Sequence, residues 1–94
     1  MSASHGPRVQ VTVARQTVPL SQHELDSLMR ALADMHVSAA TSIAEEISAL
    51  RLAGVRIQLL PNEHELAALR SALRAAEHMP RFGSALGRLR ALCD

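Results

Sequence analysis

Lysine, tryptophan and tyrosine are absent, and Phe82 is the single aromatic residue among 94. Single-stranded nucleic acids are usually gripped by several stacked aromatic side chains, so RNA and single-stranded DNA are poor candidates as ligands. Cysteine is nearly absent as well. Cys93 stands alone beside the C-terminus, which excludes an internal disulfide and a cysteine-based zinc site, and its place predicts a spare thiol in a frayed tail. No stretch of about 18 apolar residues is long enough to span a bilayer. The first seven residues, Met1 to Pro7, lack the apolar core of a signal peptide. A cytoplasmic protein with no membrane partner is the expectation. The four glycines are isolated from one another, and no phosphate-binding loop, nucleophile elbow or paired metal motif occurs. Neither an enzyme nor a cofactor is expected.

What is present is apolar and arginine-rich. With 48% hydrophobic residues, the chain can close one core without disulfide or metal, and one domain over residues 9–94 is expected behind a flexible N-terminus of residues 1–8. The net charge is only +1, but all ten basic residues are arginine and they are unevenly spread. From Ser48 onward seven arginines face four acids, whereas before it three face five. Arginine makes bidentate bonds to phosphate, so the second half is the candidate for a phosphate-binding face.

An internal repeat organises the chain. Shifting the sequence by 41 residues lays His23–Leu32 over His64–Leu73 with six identities in ten positions, and a shift of 42 matches Ser42, Ala49 and Leu50 with Ser84, Ala91 and Leu92. Repeat 1 then covers about residues 9–53 and repeat 2 about residues 54–94. Local signals follow the same division. Ser21 with Glu24, and Asn62 with Glu65, have capping-box spacing, and Leu20 with Leu25 has that of a hydrophobic staple. Leu25, Leu28, Leu32 and Met35 continue at helical spacing, as do Leu66, Leu69, Leu73 and Ala76. A second helix is predicted from Ser38 to Ala53, closed by Gly54, and a short fourth helix between Pro80 and Leu92.

Val55, Ile57 and Leu59 alternate with Arg56, Gln58 and Leu60, the period of a half-buried strand. Val9, Val11 and Val13 alternate likewise, but the phase changes before Val18 and Leu20, so a bulge or break is predicted near Ala14 to Gln16. The fold class predicted is α+β, mostly helical: a tandem strand-helix-helix repeat with four helices and a two-stranded antiparallel ribbon pairing across an approximate twofold. His23 matches His64, and His36 matches His78. All four occupy helix ends, where water is the ordinary partner, and no metal is assigned to them.

The run Val18-Pro19-Leu20-Ser21 through Leu25, Leu28, Met35, Ser38, Ile43 and Ile47 resembles the ribbon-helix-helix DNA-binding family, and residues 55–92 resemble it again more loosely. That resemblance implies a transcriptional regulator whose β-ribbon enters the major groove of double-stranded DNA. The outward ribbon residues it implies are Arg15, Thr17, Arg56 and Gln58, with Gln10 and Thr12 as the alternative pair on the first strand. It places the backbone amides of Ser38 to Thr41 against a phosphate, and Arg81 is expected as a further phosphate contact. With both units in one chain, a monomer or a homodimer of complete units is expected. The alternative from the residues themselves is a helical protein-interaction module, an adaptor or inhibitor, whose leftover leucine stripes bind a partner.

Overall fold

The computed structural model describes residues 8–78 and 83–93. Their order is β1 (Val9–Val13), β2 (Gln16–Leu20), α1 (Gln22–Met35), α2 (Ser38–Ala53), β3 (Ile57–Leu59), α3 (Glu63–Ala76) and α4 (Ser84–Cys93). The class is α+β with helix dominant. The expected N-terminal segment is described only at Arg8, and Pro80 and Arg81 lie outside the described residues.

The phase change in the first strand is a chain reversal. β1 and β2 pair antiparallel from Val9↔Leu20 to Val13↔Gln16, leaving Ala14 and Arg15 as a two-residue turn. Both have positive φ, 53° and 69°, which is the type I′ geometry that matches the twist of paired strands. Neither side chain suits it, because a Cβ in the left-handed region costs about 1–2 kcal/mol. Replacing Ala14-Arg15 with Asn-Gly is therefore expected to stabilise the fold by about 1–2 kcal/mol, raising Tm by several degrees in a thermal melt. An unchanged or lowered Tm would mean that the turn has another geometry.

The two-stranded antiparallel ribbon is replaced by a three-stranded mixed sheet of order β2-β1-β3. β3 pairs parallel with β1, Val11 opposite Ile57 and Val13 opposite Leu59. The reason lies in the hairpin: β2 already occupies one side of β1, and the only free side accepts β3 in the direction that α2 delivers it. The two halves of the chain therefore contribute differently to the sheet, a hairpin from one and a three-residue strand from the other. No twofold-related ribbon forms among the described residues.

The helical signals translate more directly. Ser21 Oγ accepts from the Glu24 amide at 3.1 Å, and the Ser21 amide donates to Glu24 Oε1 at 2.8 Å. Asn62 and Glu65 repeat the exchange at 2.8 and 3.0 Å. α2 ends at Gly54, whose φ of 73° is left-handed and whose amide closes back onto Arg51. One core joins every element. Leu20 and Leu25 beneath the cap, Leu28, Leu32, Ile43, Ile47, Leu69, Leu73, Leu86 and Leu89 are fully buried with Val11 and Ile57 of the sheet, each contributing about 1.5–3 kcal/mol through loss of apolar surface. Cys93 departs from expectation. It is 2% exposed and belongs to this core, because Leu86, Leu89 and Cys93 fall on the inner stripe of α4. Among the described residues no helix is long and apolar enough to cross a membrane.

Candidate nucleic-acid interface

Strand alternation divides the sheet into two chemically different faces. Val11, Val13, Val18, Leu20, Ile57 and Leu59 point into the core beneath the helices. Gln10, Thr12, Thr17, Pro19 and Gln58 take the intervening, outward positions. The register sets Thr17, Thr12 and Gln58 in one row across all three strands. Thr12 Oγ1 and Thr17 Oγ1 share a hydrogen bond of 2.8 Å, which fixes the centre of that row. Pro19 lies on the edge strand β2 opposite Gln10, a position without ladder hydrogen bonds by alternation from the turn. Its missing donor therefore costs the sheet nothing.

Arginines stand at both ends of the face. Arg15 sits in the hairpin turn where β1 finishes, and Arg56 directly precedes β3 at the end where β1 starts. At about 3.3 Å per residue, the length of β1 separates them by roughly 15 Å. Both are exposed and make no ion pair among the described residues. Neither residues 8–20 nor residues 55–60 include an acid, so the strands themselves bring no carboxylate to this surface. Among the described residues the acids lie on α1, α2 and α3 and at the C-cap of α3.

Four of the expected contact residues, Arg15, Thr17, Arg56 and Gln58, thus share one side of the molecule. Ser38 does not join them. It opens α2 in the helical layer behind the sheet, where Ser42 one turn later donates to Glu65 Oε2 at 3.0 Å, so the acidic start of α3 is the neighbour. Val37, at the N-cap, makes no side-chain cap bond, so the first amides of α2 are uncapped, with Glu65 bonded one turn further on. Gln10 and Thr12 belong to the face alongside Thr17, not as an alternative to it. The parity change already held that information, since a two-residue turn pairs odd-numbered residues of β1 with even-numbered residues of β2 and turns both polar sets outward.

His23, His36, His64 and His78 are all exposed, and among the described residues no three His, Cys, Asp or Glu side chains gather as a metal site. His36 takes the left-handed closing position of α1, with φ of 55°. Comparison with protein-family models, curated proteins and solved structures finds no match to this chain.

Proposed function

We propose that the protein is a non-enzymatic regulator that binds double-stranded DNA through the outward face of its three-stranded sheet. The observation that carries this reading is the acid-free set of strand residues Gln10, Thr12, Thr17 and Gln58 with Arg15 and Arg56 at its ends. The major groove, roughly 12 Å wide, admits two adjacent strands, so two of the three would enter it with the third beside the backbone. Gln58 suits adenine, which offers one donor and one acceptor in that groove, and the arginines suit guanine or flanking phosphates. The hairpin turn supports the same reading. Arg15 occupies a position where glycine would be more stable, and strain retained at an exposed tip is a common mark of a functional side chain.

Selection from a randomised duplex pool, followed by fluorescence anisotropy, tests this. Affinity for the selected site is expected to fall with salt at a log–log slope of about −0.9 per phosphate contacted. Gln58→Ala is expected to cost about 1–3 kcal/mol on that site and to relax preference at one base pair. No enrichment, with no duplex binding even at low salt, would overturn the reading.

One observation favours a protein-interaction module instead. Leu52, Val55 and Leu60 are 86%, 52% and 93% exposed, and they lie close in sequence around the edge strand β3. Under that reading a stoichiometric protein would co-purify with the chain, Leu60→Asp would release it, and Gln58→Ala would change little.

A further inference from the structure

At the end of the sheet where β1 and β3 begin, the last turn of α2 borders a groove of about 750 Å3. Three arginines, Arg8, Arg51 and Arg56, line it together with Gln10, Gln22 and Ser48. No lining residue is acidic. These arginines come from three separate parts of the chain, so the groove exists only in the folded protein.

Arg51 is the fixed member. Its Nη1 donates to Asp26 Oδ1 at 2.8 Å and its Nη2 to Gln22 Oε1 at 2.7 Å. Two of the five guanidinium hydrogens are thereby used to orient the fork, and the rest remain for a ligand. Its side chain is 31% exposed, so water or an anion can reach it. Arg8 is held more loosely, 3.8 Å from the Glu24 carboxylate. Arg56 has no ion pair among the described residues.

The opposing charges are Asp26, Glu24 and the carbonyl end of the α2 dipole. Gly54 and Val55 amides already bond carbonyls of that last turn, which mutes the dipole, and the three guanidinium charges outnumber the two carboxylates. A planar carboxylate offers two oxygens and suits a single fork. A phosphate offers oxygens in several directions and can accept from three separated arginines at once.

We propose that this groove binds a phosphate group, carried either by a small phosphorylated molecule or by a nucleic-acid backbone. The volume exceeds what phosphate alone requires and falls in the range of ordinary small-molecule sites. Exposed Leu52 and Val55 on its wall provide apolar surface for the remainder of a ligand. The site lies at the opposite end of the sheet from the hairpin turn and does not depend on base recognition.

The test is titration of the full chain with inorganic pyrophosphate, followed by amide and arginine side-chain NMR. Saturable shifts are expected at Gln10, Arg51 and Gly54 to Arg56, with none at Ala14 to Thr17. Arg8→Ala and Arg51→Lys are each expected to weaken binding about tenfold, the scale of one charged hydrogen-bonding group. Arg51→Lys keeps the charge but loses the fork, and Arg8 is a surface residue whose loss leaves the core intact. Displacement of pyrophosphate by a short duplex assigns the site to a nucleic-acid backbone, and retention assigns it to a small phosphorylated ligand. Shifts that fail to saturate, that are equally large at Arg70 and Arg88, or that survive both substitutions would overturn the proposal. Gln58→Ala leaves this site untouched, so failure of the base-reading role and failure of the phosphate groove give separate results.

Discussion

Leu28→Ala is expected to cost about 3–5 kcal/mol in urea denaturation, a large share of the roughly 5–15 kcal/mol that holds a domain of this size together. Leu28 is fully buried at the centre of α1, the helix that packs against both α2 and α3. Removing three carbons there loses their transfer free energy and leaves a cavity that surrounding helices, tied to one another by short connections, can only partly fill. A loss below about 1 kcal/mol would mean that α1 packs differently, since surface substitutions give changes of that order.

Gly83→Ala is expected to destabilise the fold by a direct clash. A Cβ there would lie 2.3 Å from Glu24 Oε2 and 3.1 Å from its Cδ. The end of a glutamate ordinarily swings aside, but this one is 7% exposed and its other oxygen accepts the Ser21 amide at 2.8 Å. Moving it breaks the cap and displaces a buried carboxylate from its donor, about 1–3 kcal/mol. Glu24→Ala removes the obstacle, so adding Gly83→Ala to that background should cost less than about 0.5 kcal/mol. Equal costs in the two backgrounds would place the clash elsewhere.

The helices were legible because their determinants are local. Ser21-x-x-Glu24 and Asn62-x-x-Glu65 complete their caps within one turn, and the boundaries Ser38 and Ala53 of α2 follow from an apolar period and a single closing glycine. The sheet was less legible. Ala14-Arg15 has none of the Asn-Gly chemistry that announces a type I′ turn, so only the change of parity between Val13 and Val18 marked it. The partner of β3 was beyond local reading altogether. Val55 to Leu60 alternates equally well for either neighbour and either direction, and the choice depends on which side of β1 the hairpin leaves open. For Cys93, spacing from Leu86 and Leu89 sets burial, and nearness to the terminus does not. For the interface, the outward residues could be named once the alternation was known. Their gathering on one face, and the exclusion of Ser38 from it, required the strand order.

The parallel pairing of β1 with β3 also carries a larger chain-entropy cost than the hairpin. The hairpin closes a two-residue loop, whereas the contact between Val11 and Ile57 closes a loop of about 46 residues that includes both α1 and α2. Closing that loop costs about 3 kcal/mol of chain entropy before the first bond across it is made. Three strand residues cannot offset this by themselves. Helix packing that draws the two ends together offsets that cost, and the row from Thr17 to Gln58 is complete only when β3 has docked.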